Sequence, residues 1–299
     1  MMRGRAELAL LFNTLVWGTT FVLVKTALDD VSPILFVALR FTLAAALLLV
    51  IFRRKWPAAR ETWKAVRGGA LAGIFLFCGY LFQTLGLRFT TASKSAFITG
   101  LSSVMVPLLA SLVYKNRPRM VEVAGVLVAT AGMGLLLIGD VFPIAHGQWM
   151  AGRGDLLTLI CAVAFAAHIV TLGHYAEEVN FEVLSVVQVS TTAVLALVLF
   201  GWAETPRLDW HPAVIYAILV TGVLATALAF SIQAWAQRYT TSTRTALIFT
   251  LEPVFAWMTS FWLLGESLSG RAAAGAALIL GGIVMVEMKP LSSRLHPSK

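Results

Sequence analysis

Apolar residues in this chain run in blocks parted by short polar turns. A membrane-spanning helix needs roughly 20 apolar residues. Segments near 7–28, 33–52, 67–87, 92–114, 120–139, 154–175, 182–202, 212–237, 243–264 and 270–288 qualify, which predicts about ten transmembrane helices. Inside the blocks, polar and aromatic residues recur at helical spacing. The sets are Asn13, Trp17 and Thr20; Tyr80, Gln83 and Thr84; Ser95, Thr99, Ser102 and Ser103; Phe165 and His168; Ser185, Gln188 and Thr192; Thr226, Phe230, Gln233 and Gln237; and Thr245, Phe249 and Glu252. Each set lies on one side of its helix. In hydrocarbon such a side must face protein or a watery cavity, because unpaired polar groups are costly there. A central pathway lined by these groups is one reading. Hydrogen bonds between helices use the same residues and are the other.

The pattern also repeats. Shifted by 150 positions, residues 80–134 fall without a gap on residues 230–284. Gln83 meets Gln233, Arg88 meets Arg238, Thr90 and Thr91 meet Thr240 and Thr241, and Gly132 meets Gly282. Five helices per copy is an odd number, so the second copy must enter the membrane from the opposite side. The expected fold is an all-α polytopic membrane protein of two inverted five-helix repeats, with its site near midplane between the halves, as in transporters. Repeat 1 covers 1–140, a periplasmic linker 141–153, repeat 2 residues 154–290 and a cytoplasmic tail 291–299.

Composition narrows the class. The 299 residues are 59% hydrophobic and 13% charged, about half the charge of a soluble domain. A net charge of +8 could suggest nucleic acid, but the cations sit at helix ends. Arg3, Arg5, the run Arg53, Arg54, Lys55, Arg60, Lys64 and Arg67, and the group Lys115, Arg117 and Arg119 share one side with Arg238, Arg244, Lys289, Arg294 and Lys299. The other side has Lys25, Arg88, Lys94, Arg153, Arg207 and Arg271. This positive-inside bias puts both termini in the cytoplasm and makes membrane lipid, not nucleic acid, the surrounding partner. The loop holding Glu177, Glu178 and Glu182 has no cation near it in sequence. Cys78 and Cys161 lie in apolar runs and read as packing residues. No cofactor or metal ion is expected.

Ionisable residues inside spans are few and therefore informative. Glu252 precedes Pro253, which has no N–H for the Phe249 carbonyl. Its carboxylate could bind an amino group, a cation or a proton, or serve structurally. Pro107 and Pro253 are expected to be paired hinges in the fourth and ninth helices. Arg40 is expected to pair with Asp29 or Asp30, or to snorkel, rather than to meet a substrate carboxylate. The small-residue rows Ala273, Ala277, Gly281 and Gly125, Ala129, Gly132 read as close helix packing or a dimer face. A monomer or weak homodimer fits either.

Several of these residues resemble the EamA family of the drug/metabolite transporter superfamily. They are Trp17-Gly18-Thr19-Thr20-Phe21 with Lys25, Arg40-Phe41, Leu251-Glu252-Pro253-Val254, and Leu264-Gly265-Glu266 leading to Gly275 and Gly281-Gly282. The likeness spans both repeats, and among branches the chain most resembles the YddG-type exporters of aromatic and other amino acids. The first copy departs from the pattern, with Lys115-Asn116 where the second has Gly265-Glu266. The resemblance implies ten helices, a bacterial inner-membrane location and export of small metabolites. Small multidrug relatives carry a glutamate just before a similar Gly-Thr-Thr; here that position is Leu15.

The expected function is export of amino acids of broad range by alternating access. The expected pathway residues are Trp17, Tyr80, Gln83, Thr99, Ser102, Ser103, His168, Phe230, Gln233, Phe249 and Glu252. The alternative is a proton-coupled exporter of drugs, lipophilic cations or another small metabolite that uses Glu252. An intramembrane enzyme would need a nucleophile, base or metal constellation at depth. With one histidine and no Cys–His or His–Glu helical pair at that depth, no enzymatic activity is expected.

Overall fold

The structure is a computed structural model that describes residues 2–56, 59–113, 115, 120–121, 124–125, 127–129, 131–132, 135 and 149–287. It is built almost wholly from helices. The first repeat contributes α1 (Met2–Ala27), α2 (Pro33–Phe52), α3 (Ala59–Leu87), α4 (Ala92–Gly100) and α5 (Ser102–Val113). The second contributes α6 (Trp149–Ala176), α7 (Phe181–Ala203), α8 (Pro212–Gly222), a π-helical turn (Val223–Leu228), α9 (Ala229–Ala236), α10 (Ser242–Phe249), α11 (Glu252–Leu264) and α12 (Gly270–Glu287). Among the described residues, eight spans are long and apolar enough to cross a membrane. They coincide with eight of the predicted blocks. The described positions of the block 120–139 are helical, and α12 occupies the last block. Positions 136–148 and the tail 291–299 lie outside the described residues.

Local chemistry sets the element ends. Pro33 and Pro212 open α2 and α8, where a missing N–H costs nothing. Thr91 caps α4 by accepting from the Lys94 amide, and Thr241 caps α10 by accepting from the Arg244 amide. These two caps are the repeat-matched threonines.

The fourth and ninth spans are each broken near the middle, at Leu101 and at Thr250–Leu251. Leu101 and Leu251 are repeat equivalents. The break in the fourth span therefore corrects the expectation for Pro107, which lies inside α5. Pro253 does sit at the break of its span, in the first turn of α11.

Contacts between the copies are reciprocal. A Cβ on Gly132 would lie 2.6 Å from the Gly275 carbonyl oxygen, and one on Gly282 would lie 2.5 Å from that of Gly125. Lys94 bridges Asp155 at 2.8 Å, while its repeat equivalent Arg244 bridges Glu7 at 3.0 Å. Reciprocity of this kind is what a two-fold relation between halves produces. It also splits the small-residue rows. Gly125, Ala129 and Gly132 are buried, but Ala273, Ala277 and Gly281 are exposed, and the packed row of α12 is Gly275, Ala276, Ile279 and Gly282.

At the bundle end opposite the N-terminus, Val31 and Leu208 form an isolated bridge, and Glu204 accepts from the Ile34 and Leu35 amides at the start of α2. Glu266 does the same for α4, accepting from the amides of Ala92 and Ser93 and from the Ser93 hydroxyl at 2.7 Å. At the N-terminal end, Lys64 forms an ion pair with Glu178. The acidic loop thus finds its cation in another helix, which sequence spacing did not reveal.

Candidate functional site

The broken spans meet the long helices around one cleft of about 750 Å³ of empty space, its open mouth included. Its floor is aromatic. The Trp17 ring lies 5.3 Å from Phe230 and 5.0 Å, edge on, from Phe249. Tyr80 lies edge on to Phe165 at 5.2 Å and to Phe230 at 6.0 Å. Such tilted and edge-to-face pairs hold the rings in place as well as burying them. The lining extends from this layer along α1 to Thr20, Phe21 and Val24, and along α3 to Thr84 and Leu87. The other half of α1 is packed shut. Leu10, Asn13 and Thr14 are fully buried, and the Asn13 amide donates to the Ala229 carbonyl at 2.7 Å.

The π-helical turn explains how these groups are held. A π-helical register frees carbonyls from the ordinary ladder. The Trp17 indole N–H donates to the Ala225 carbonyl at 2.8 Å. Thr226 donates to Thr221 at 2.7 Å and accepts from Arg40 through Nε at 3.1 Å and Nη2 at 2.8 Å. The Arg40 guanidinium lies over the Tyr80 ring, 4.6 Å from its centroid. Only 3% of Arg40 is exposed. It neither pairs with Asp29 or Asp30 nor snorkels, and it lines the cleft. It lies about 10 Å into α2 at 1.5 Å per residue, too deep for its head to reach the helix end.

Ten of the eleven expected pathway residues line the cleft, and Ser103 is the exception. Its hydroxyl is turned away to donate to the Ala246 carbonyl at 2.9 Å, joining α5 to α10. Gln83 donates to Thr99 at 3.3 Å. Gln233 donates to Gln237 at 3.1 Å, and its buried carbonyl oxygen has no partner among the described residues. His168 shares a 2.8 Å hydrogen bond with Gln188. Glu252 is half-buried, and among the described residues its carboxylate has no hydrogen-bonded or ion-paired partner. Arg40, Thr20 and the π-helical turn were not assigned to the site from sequence. A lone arginine deep in an otherwise apolar helix was the signal for the first. No group of three or more metal-ligating side chains occurs among the described residues.

Two tandem segments, 4–138 and 152–288, match the model of the EamA-like transporter family. This chain belongs to the EamA-like transporter family. An uncharacterized transporter of Archaeoglobus fulgidus is 36% identical over 95% of this chain and 86% of its own length. A "Probable amino-acid metabolite efflux pump" of Salmonella typhimurium is 29% identical over 95% of this chain and 94% of its own. A solved crystal structure at 22% identity shares the fold, with a TM-score of 0.69 over 95% of this chain and 97% of that one. The EamA protein is thus a multi-pass inner-membrane transporter of the drug/metabolite superfamily and not an enzyme. In this EamA chain the repeats diverge where the cleft is polar, since Glu252 and Pro253 stand where the first copy has Ser102 and Ser103.

Proposed function

We propose that this EamA transporter exports amino acids, aromatic ones among them, by alternating access through the cleft between its repeats. The observation that carries this reading is the mixed lining. Four aromatic rings, Trp17, Tyr80, Phe230 and Phe249, face the same space as the amides Gln83 and Gln233, the hydroxyls Thr99 and Ser102, and groups of both charges. An apolar side chain can rest on the rings while a polar head meets donors and acceptors. The efflux-pump name of the Salmonella relative supports the same class. The positive-inside bias supports cytoplasmic termini, and on that orientation the packed half of α1 lies on the cytoplasmic side and the cleft reaches toward the periplasm. Rocking of the repeats about the breaks at Leu101 and Thr250–Leu251 would alternate the opening. Ten of the expected residues, without Ser103, are proposed to line the path, and His168 positions the wall through Gln188. The test is counterflow of labelled amino acids in proteoliposomes. Saturable exchange of phenylalanine and smaller amino acids is expected, and absence of exchange for every amino acid, with or without a pH gradient, refutes the proposal.

The unpartnered Glu252 carboxylate favours a second reading, proton-coupled export of lipophilic cations. On that reading Glu252→Gln abolishes cation transport and its pH dependence. Normal cation transport by that variant excludes it.

A further inference from the structure

The cleft holds one buried cation and one carboxylate, contributed by different repeats, and they are not paired with each other. Arg40 from α2 is fixed by neutral groups. It donates twice to the Thr226 hydroxyl, and its guanidinium lies over the Tyr80 ring. Thr226 is itself anchored to Thr221 by the π-helical register. No carboxylate lies within 4 Å of the guanidinium among the described residues. Glu252 opens α11 and faces the same cleft. A buried charge without a counter-charge is expensive, and the expense is tolerated where an incoming ligand supplies the partner. Rigid support keeps the two poles from collapsing onto each other. Arg40 is held by Thr226, and the Glu252 backbone is held against Gly18, where a Cβ would lie 2.8 Å from the Glu252 carbonyl oxygen.

We infer that the cleft reads its substrate as a zwitterion, with Arg40 receiving the carboxylate and Glu252 the ammonium group. This deepens the proposed amino-acid function and rests on it. A lipophilic cation would satisfy Glu252 but leave Arg40 unpaired and facing a like charge. An organic anion would do the reverse. Only a ligand with both groups neutralises both poles, while its side chain lies on Trp17 and Phe230. Arg40 and Glu252 are then the specificity-determining residues, and a site with buried polar groups rejects ligands that leave one of them unmet.

The test uses L-phenylalanine and its two halves, 2-phenylethylamine without the carboxylate and 3-phenylpropionate without the amine. Affinity is read from ligand-dependent thermal stabilisation of the purified protein, and transport from counterflow. A charge-assisted hydrogen bond corresponds to about a ten- to hundred-fold change in affinity. Wild type is therefore expected to bind phenylalanine at least about tenfold more tightly than either half. Arg40→Gln should erase the preference over the amine and keep the preference over the acid, and Glu252→Gln should do the opposite. If Arg40→Gln does not fold, the wild-type comparison decides alone. Equal binding of phenylalanine and 2-phenylethylamine overturns the role of Arg40, and equal binding of 3-phenylpropionate overturns that of Glu252. Phenylalanine transport without discrimination refutes this inference alone. Failure to transport any amino acid refutes the function beneath it, and this inference with it.

Discussion

Gly18 offers a direct measure of how tightly the two halves are packed. An alanine there would put its Cβ 2.6 Å from the Phe255 Cβ, 2.8 Å from the Glu252 carbonyl oxygen and 3.1 Å from the Ala256 nitrogen. Ordinary contact begins near 3.4 Å, so α11 would have to retreat by 0.6 Å at the oxygen and 0.8 Å at the Cβ. Two of the three atoms are backbone and cannot rotate aside. Overpacking of this kind costs about 1–3 kcal/mol. Replacing glycine inside a helix returns about 0.5–1 kcal/mol, so the net loss is up to about 2.5 kcal/mol, and the backbone clash puts Gly18→Ala on the losing side. Gly281 supplies the control. Nothing lies within 4 Å of its Cβ position, so Gly281→Ala should gain only the helix term. The two variants should shift the unfolding temperature in detergent in opposite directions. Gly18→Ala should also lose transport, because the segment it pushes carries Glu252. An unfolding temperature at or above wild type for Gly18→Ala would show slack between α1 and α11 and refute the argument from contact.

Other expectations follow the same logic. Asp155→Asn should destabilise by about 1.5–3 kcal/mol, because it removes the charge from a buried charge-assisted hydrogen bond to Lys94; the side chains there are 11% and 3% exposed. Glu7→Gln at the equivalent but more open bridge should cost no more than about 1 kcal/mol, and equal losses in thermal unfolding would contradict this ranking. Burial of Glu266 works to raise its pKa, but hydrogen bonds from Ser93 and the Ala92 amide outweigh it and hold the carboxyl below its usual range. Its stabilising effect is therefore full above the ordinary carboxylate pKa and fades as pH falls through the lowered folded value. Melting temperatures from pH 7 to pH 4 should fall more steeply for wild type than for Glu266→Gln, and parallel curves would remove Glu266 from the account. In a background without Cys78 and Cys161, Gln83→Cys should react with a membrane-impermeant thiol reagent added outside, and Asn13→Cys should not. Labelling of position 13 alone would reverse the assigned direction of the cleft.

Much of the fold was legible because membrane helices announce themselves locally. A run of apolar residues predicts a span without knowledge of its neighbours, and a 150-residue shift that matches Thr91 to Thr241 predicts two similar halves. The caps at those threonines and the paired breaks at Leu101 and Leu251 are local consequences of the same repeated text. What escaped was set by contact between distant segments. The fate of Arg40 depends on Thr226, 186 positions away, and on a π-helical register that no spacing rule predicts. Ser103 shares a helical stripe with Thr99 and Ser102, yet a carbonyl on α10 draws its hydroxyl away from the cleft. Pro107 looked like the hinge because proline breaks helices, but the actual break comes at Leu101, beside the close approach of Gly100 to Pro253.

The departures from symmetry bear most on mechanism. A perfectly two-fold bundle would have equal clasps at both ends and no reason to prefer one opening. Here the clasp of Lys94 and Asp155 is buried and reinforced by Thr90, which donates to Asp155 at 2.7 Å. Its counterpart, Arg244 with Glu7, is about a third exposed on each side chain. Glu266 adds a second tie at the same end as Lys94, linking the α11–α12 turn to the start of α4. The first copy has Asn116 at the matching position in the sequence. Movement of the repeats would thus be resisted unequally at the two ends. The cleft floor is asymmetric too, since the π-helical turn of the eighth span supports Trp17 and Arg40, while α3 runs from Ala59 to Leu87 without such a turn. Duplication accounts for two similar halves, and alternating access would have them exchange roles. The unequal clasps and the one-sided anchoring of Arg40 are what would give the exchange a direction and the cleft a polarity.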